Sequence, residues 1–279
     1  MGSPAAILSG TVEAPATDVT AALLDGSGPR PLVIAHRGAS ADAPDNSLAA
    51  FVVAISAGAD AVELDVRRTA DGLLVAHHSA RRRGVPLDRL TYSELVRRSR
   101  YRPPRLEEVL TVCAGRVGVD IELKEAGYEA QVLDLVDGRL GIERAVVTSF
   151  HAAVIQTVKA IRPGVRCGLV VGLGRLRAGR SAVERAVVDP ARACGADFLA
   201  MHQLLAGLRP HHRGRRRRSP PVLRAAADAG LPVAVWTVNG VPRLHHFLSD
   251  PLVAAVITDT PAQAVALRGA AIVAGPALV

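Results

Sequence analysis

The stretch Ala61-Val62-Glu63-Leu64-Asp65-Val66-Arg67-Arg68-Thr69-Ala70-Asp71-Gly72-Leu73-Leu74-Val75-Ala76-His77-His78 decides how the rest of the chain is read. Its first arm, Ala61–Val66, alternates: Glu63 and Asp65 share one face, and Val62, Leu64 and Val66 take the other. Its second arm, Leu73–His78, is another apolar run, and Asp71-Gly72 separates the two. Asp-Gly suits a two-residue type I′ turn, whose central residues both need φ > 0. One antiparallel hairpin is therefore predicted. With a two-residue turn, Ala70 pairs with Leu73, Asp65 faces His78, and His77 is turned to the opposite face.

Outward from this hairpin, short apolar runs alternate with segments of helical period. The strand candidates are Leu32–Ala35, Ala61–Val66, Leu73–His78, Val117–Leu123, Ala145–Ser149, Val165–Val171, Ala196–Met201, Val233–Val238 and Ala254–Thr258. Helical stretches fall between most of them: Asn46–Ala57, Glu129–Leu140, Ala153–Ile161, Ala182–Ala193, Val222–Ala229 and Ala262–Leu267. Alternation of this kind implies parallel strands joined by right-handed crossovers. Setting aside the hairpin's return arm leaves eight parallel strands, which a TIM (β/α)8 barrel requires. Residues 79–112, with the run Arg81-Arg82-Arg83 and short helices at Tyr92–Arg98 and Leu106–Cys113, read as a small insertion after the early strands, without a strand of its own. A doubly wound open sheet is the alternative, but no Gly-rich fingerprint follows the first strand.

Residues 1–30 read as a flexible leader with one short helix near Asp18–Leu24, residues 31–268 as the barrel, and residues 269–279 as a loosely docked tail. The 279 residues are 49% hydrophobic and 22% charged, which supports a sizeable core and excludes a disordered chain. Aromatic residues are only 3%, too few for the stacking platforms of a single-strand nucleic-acid binder, so no nucleic-acid partner is expected. The net charge of +8 is clustered in arginine runs, Arg81–Arg83 and Arg213–Arg218. These read as solvated, non-catalytic loops. The sharper reading of the charge is attraction to anionic substrates, to lipid surfaces through peripheral membrane contact, or to nucleic acid. Cys113, Cys167 and Cys194 stand far apart and read as buried free thiols. No apolar run is long enough to cross a bilayer and no secretory signal is seen, so a cytoplasmic location is the default expectation.

In such a barrel, chemistry sits at the C-terminal ends of the strands. There the sequence places His36, Arg37 and Gly38, then Glu63 and Asp65, His77 and His78, Asp120, Glu122 and Lys124, Ser149 and His151, Trp236 and Asn239, and Asp259. Lumen-facing sets on neighbouring strands converge, which gathers Glu63, Asp65 and Glu122. Three carboxylates so close either rise in pKa or bind a hard cation, and oxygen-only ligands favour Mg²⁺ or Ca²⁺. The plainer reading is salt bridging to Arg67 and Lys124. Ser149 lacks the Gly-x-Ser-x-Gly elbow of a nucleophile. His151, His202, His211, His212, His245 and His246 read as surface or loop residues.

The string Ala35-His36-Arg37-Gly38, Pro44-Asp45-Asn46-Ser47, Gly58-Ala59-Asp60-Ala61-Val62-Glu63-Leu64-Asp65-Val66 and Thr69-Ala70-Asp71-Gly72 with His78 closely resembles the glycerophosphodiester phosphodiesterase family. Later segments agree: Pro104-Arg105-Leu106-Glu107-Glu108, Ile121-Glu122-Leu123-Lys124, Ser149-Phe150, Trp236-Thr237-Val238-Asn239 and Ile257-Thr258-Asp259-Thr260-Pro261. The resemblance covers about residues 31–268, in order. It implies a TIM barrel that hydrolyses glycerophosphodiesters to glycerol 3-phosphate and an alcohol. It also implies a divalent cation, Mg²⁺ or Ca²⁺, on Glu63, Asp65 and Glu122; general acid and base roles for His36 and His78; phosphate binding by Arg37 and Lys124; and a pocket lined by Trp236. Two positions depart from the family: Asp45-Asn46-Ser47 stands for the usual Glu-Asn-Thr, and His78-Ser79 for His-Asp. A barrel of impaired activity that binds phosphodiesters or lipid headgroups, and a phospholipase-like relative with another alcohol specificity, are the alternative functions.

Overall fold

The structure, a computed structural model, describes Leu23 and residues 31–174, 180–207 and 220–274. The run Arg213–Arg218 and nearly all of the leader lie outside them, as does the end of the tail. Eight parallel strands close into a barrel: β1 (Leu32–His36), β2 (Ala61–Arg68), β6 (Gly118–Leu123), β7 (Ala145–Ser149), β8 (Arg166–Val171), β9 (Phe198–His202), β10 (Val233–Trp236) and β11 (Ala255–Thr258), with β11 returning to β1. The open-sheet alternative is thereby excluded. Helices between the strands coat the outside: α1 (Leu48–Ser56), α2 (Tyr92–Arg98), α3 (Leu106–Cys113), α4 (Glu129–Arg139), α5 (Ala152–Ile161), α6 (Arg180–Cys194), α7 (Gln203–Ala206), α8 (Pro221–Asp228), α9 (Val241–Leu248) and α10 (Pro261–Ala274).

The period-2 reading of the strands holds. Val62, Leu64 and Val66 of β2 and Val119, Ile121 and Leu123 of β6 join the main core between sheet and helices. The lumen is a separate, smaller core of Leu32, Ile34, Ala61, Val146, Phe198, Ala234, Ala255 and Ile257. Phe198 is the one aromatic ring among its buried members, and it fits because Gly168 on the neighbouring strand has no Cβ that would clash with that ring. Leu23, helical and fully buried, packs into this same lumen cluster. The segment before β1 therefore contributes to the barrel floor at that residue. All three cysteines are buried free thiols.

The hairpin corrects the predicted register. β3 (Leu74–Ala76) is antiparallel to β2, but the pairs are Val66–Ala76, Arg67–Val75 and Arg68–Leu74. His77, not His78, therefore lies across from Asp65, with the His77 N–H donating to the Asp65 carbonyl at 2.9 Å. The turn spans three residues: Gly72 N–H bonds to the Thr69 carbonyl and Gly72 sits at φ 82°, a type I turn closed by a glycine bulge. Tertiary ties select it. Asp71 accepts the Tyr92 N–H at 2.9 Å at the start of α2, and Ala70 N–H donates to the Leu90 carbonyl.

The insertion also holds strands the sequence did not disclose, a miniature hairpin of β4 (Arg81–Arg82) and β5 (Val85–Pro86), so the first arginine run is partly strand. Its two helices lie where expected. α9 went unread, and α10 runs on to Ala274, past Leu267.

Gly38 is one position where only glycine fits. Its φ is +81°, and a Cβ there would lie 2.6 Å from the Ala50 carbonyl carbon of α1. We expect Gly38→Ala to cost about 2–4 kcal/mol through left-handed strain and a backbone clash, read as a lowered urea midpoint. An unchanged midpoint would contradict this packing.

Candidate active site

β1 ends at His36, directly beside Glu63 of β2, while β2 runs on to Arg68. β6 lies on the other flank of β2 with Glu63 beside Asp120 and Asp65 beside Glu122. Strand register alone thus collects the lumen-facing acids at the C-terminal mouth. Ligand oxygens of Glu63, Asp65 and Glu122 all lie within 4.8 Å of one another.

Two cations are built into this cluster. Lys124 Nζ is 2.6 Å from Asp65 Oδ1 and 2.5 Å from Glu122 Oε1, and Arg37 Nε is 2.9 Å from Asp65 Oδ2. Arg67 does not join them. It pairs with Glu125 and donates to the His78 carbonyl, so of the salt bridges expected to the acids only that of Lys124 forms. Asp65 is further held by Asn46, whose Nδ2 donates at 2.7 Å and whose Oδ1 accepts the Asp65 N–H. Burial would raise the Asp65 pKa, but Lys124 and Arg37, with the Asn46 hydrogen bond, lower it, so Asp65 is a fixed anion.

Glu63 is in the opposite situation. Burial, then the charges of Asp65, Glu122 and Asp120, push its pKa well above the ordinary value. Its Oε2 accepts the Arg37 backbone N–H at 2.9 Å, while its buried Oε1 has no hydrogen-bond partner among the described residues. Glu122 is raised by burial as well, although Lys124 opposes this. Below them, burial raises Asp120 to about 7 despite a hydrogen bond from Thr148. Lys124 and Arg37 leave the three carboxylates with one unmatched negative charge and one orphaned oxygen. An all-oxygen donor set in that condition fits a hard divalent cation.

His36 Nδ1 lies 2.7 Å from Asp259 Oδ1. Asp259 also accepts from Ser40 Oγ at 2.9 Å and Asn239 Nδ2 at 2.5 Å. Burial would raise this carboxyl, but the His36 hydrogen bond and charge and the Asn239 and Ser40 donors bring it to about 2. Because an ionised carboxylate only accepts, His36 carries its proton on Nδ1 and keeps Nε2 for chemistry.

Both hairpin histidines lie beyond the end of β3, where the pleat no longer dictates direction. His77 bonds to the Ser79 carbonyl, and its neighbouring charges are Arg82, Arg67 and Asp45. His78 is lowered by burial, and the charges that act on it are Asp65, Arg37, Lys124 and Arg67. The predicted register was wrong, yet His78 is the one of the two on which the charges of Asp65 and Lys124 act.

Trp236 stands on the far side of the mouth. Its indole Nε1 donates to the Ala200 carbonyl, and Phe150 and His202 meet its ring edge-on at 5.8 and 5.0 Å. His202 is thus a half-buried member of the mouth and not the loop residue expected. His151 is an exposed residue at the start of α5, His245 and His246 lie on α9, and His211 and His212 fall outside the described residues. Asp45 meets Arg37 and Tyr101, outside the carboxylate trio. Ser149 Oγ is buried and donates to the Leu123 carbonyl. Arg37 and Asn46 both sit in left-handed backbone, at φ 56° and 55°.

The sequence profile of the Glycerophosphoryl diester phosphodiesterase family matches residues 36–263. The chain belongs to this family. A glycerophosphodiester phosphodiesterase of Caldanaerobacter subterraneus subsp. tengcongensis is 31% identical over 252 residues, covering 82% of this chain and 94% of its own. The crystal structure of the glycerophosphodiester phosphodiesterase of Thermotoga maritima is 26% identical and superposes with a TM-score of 0.68 over 86% of this chain and 99% of its own. An Oleispira antarctica phosphodiesterase, solved in complex with the product sn-glycerol-3-phosphate, is 22% identical and shares the fold, with a TM-score of 0.68 over 85% of this chain and 96% of that one. The phosphodiesterase barrel expected from the sequence is confirmed, and with it a phosphoric diester hydrolase. Asn46, Asp259, Ser40 and Asn239 are site residues to which the sequence reading gave no role. Asp259 at the end of the last strand was the available signal.

Proposed function

We propose that this phosphodiesterase hydrolyses glycerophosphodiesters to glycerol 3-phosphate and an alcohol, with His36 and His78 as the acid–base pair. The observation that carries the reading is the meeting, at one barrel mouth, of an undercompensated carboxylate trio, two fixed cations and an oriented histidine. Glu63, Asp65 and Glu122 would hold Mg²⁺ or Ca²⁺. When bound, such an ion supplies Lewis-acid stabilisation of charge on the phosphoryl oxygens. Arg37 and Lys124 bind and orient the phosphate, and Trp236, its N–H already used, lines the pocket as an apolar wall. His36, through Nε2, and His78 exchange the protons of the attacking hydroxyl and the leaving alkoxide. Phosphorus NMR of glycerophosphocholine incubated with the protein, with and without chelator, tests this. Signal for glycerol 3-phosphate only when the metal is present is expected; turnover unaffected by exhaustive chelation, or no turnover of any glycerophosphodiester in a panel, contradicts it.

Asp259 acts through His36 as a positioning residue. In Asp259→Asn the amide can donate to Nδ1, which moves the ring proton to Nε2. We expect kcat to fall about 10–100-fold with KM nearly unchanged, and the ¹⁵N shifts of His36 to report the switched tautomer. Unchanged shifts and full kcat would reduce the pair to a structural contact.

A further inference from the structure

Six large hydrophobic side chains are exposed among the described residues, and four of them crowd one sector of the barrel mouth. Phe150 follows β7, Leu173 follows β8, Leu204 lies in α7 after β9, and Val241 opens α9 after β10; their exposures are 43%, 37%, 49% and 46%. The connections that carry them are linked around the rim by contacts of neighbouring residues. A Cβ on Gly172 would touch Phe150, Phe150 and His202 both pack on Trp236, and Gln203 beside Leu204 accepts a hydrogen bond from Arg243 beside Val241 at 2.8 Å.

The segments of sequence that carry these four side chains are devoid of acid. Residues 150–183, 198–227 and 229–249 contain no Asp or Glu, whereas the connections 172–180, 203–220 and 237–243 carry ten arginines. The opposite side of the mouth is different: the segments after β1 and β2 and within the insertion carry Asp42, Asp45, Asp71 and Asp88. Arg243 in the rim is exposed, and its contact there is to the neutral Gln203. Exposed apolar side chains beside Arg243, carried on segments rich in arginine and free of acid in sequence, match a surface that offers both hydrocarbon and negative charge.

We propose that the rim of Phe150, Leu173, Leu204, Val241 and Arg243 docks this enzyme, mouth first, onto anionic lipid bilayers. A nucleic acid would use the charge but not three aliphatic side chains, so the bilayer fits better. The proposal concerns a surface and does not depend on the reaction assigned above.

Vesicle binding tests it, and Trp236, the only tryptophan in the chain, stands beside the rim as a native reporter. With wild-type protein at about 0.1 M salt, vesicles of phosphatidylcholine with about 30 mol% phosphatidylglycerol should sediment the protein, and dibrominated lipid should quench Trp236. The triple variant Leu173→Ser, Leu204→Ser, Val241→Ser should bind those vesicles at least about tenfold more weakly. Its turnover of soluble glycerophosphocholine should stay within about twofold of wild type. The quenching measurement stands even if the variant fails to fold. Absence of wild-type binding and quenching overturns the proposal, as does undiminished binding by a folded triple variant. A wild-type preference for single-stranded RNA over the vesicles would assign the surface to nucleic acid instead. A wild-type dimer that the triple substitution dissociates, without vesicle binding, would assign it to a second copy of the chain.

Discussion

Glu63→Gln should abolish metal-dependent turnover, by about 10⁴-fold or more, while leaving the fold intact. The reasoning starts from the orphaned Oε1 and the raised pKa of Glu63. A divalent cation contributes several kcal/mol of charge stabilisation, and every ~1.4 kcal/mol is tenfold in rate. Gln keeps the shape of Glu63 and the bond from the Arg37 N–H, but removes the charge that the ion needs. The same change has the opposite effect on the metal-free protein. A carboxyl whose folded pKa exceeds its unfolded one favours the fold at low pH and costs stability as pH rises above the unfolded value. Metal-free wild type should therefore melt lower at pH 7 than metal-free Glu63→Gln, and adding Mg²⁺ or Ca²⁺ should raise the Tm of wild type only. Thermal melts and rates, each with and without metal, check both halves. A Glu63→Gln enzyme with wild-type turnover would remove Glu63 from the site.

The second large effect separates two adjacent histidines. His78→Ala should lose about 10²–10⁴ in turnover, the usual worth of a general acid or base. His77→Ala should change turnover per folded molecule by no more than about threefold. The register of the hairpin alone would favour His77, since His77 pairs with Asp65. Pairing, however, ends at Ala76, and beyond it the charges around each ring differ: Arg67 acts on both, but Asp65, Arg37 and Lys124 act on His78, and Arg82 and Asp45 on His77. The two variants are compared at equal folded fraction. Loss of activity in His77→Ala and its retention in His78→Ala would reverse the acid–base assignment.

These cases mark what the chain discloses before it folds. Alternation in Ala61–Val66 and Gly118–Leu123 is set by the pleat alone, so the convergence of Glu63, Asp65 and Glu122 is legible from residue order. Helix α9 carries a readable stripe of Leu244, Phe247 and Leu248 behind Gly240 and Pro242, but it is one short apolar face interrupted by histidines. The turn after β2 was read from Asp71-Gly72 as a local unit. Its length is decided by Asp71 and Ala70 reaching residues 92 and 90 of the insertion, contacts that no local rule contains. The pair of His36 and Asp259 is 223 residues apart in sequence. It exists because β11 closes on β1 with Ala35 beside Thr258, and strand order alone does not give that register.

The left-handed backbone at Arg37 and Asn46 bears on any attempt to make this enzyme hardier. Such conformations in residues with a side chain cost on the order of 1–3 kcal/mol each. Here they are what aims the Arg37 N–H at Glu63 and the Asn46 amide at Asp65. Selection for heat resistance alone would favour glycine at both positions and return a tougher, inert barrel. Improvement of the scaffold is better sought away from these two residues, with the strain between β1 and α1 kept as the cost of holding the acids in place.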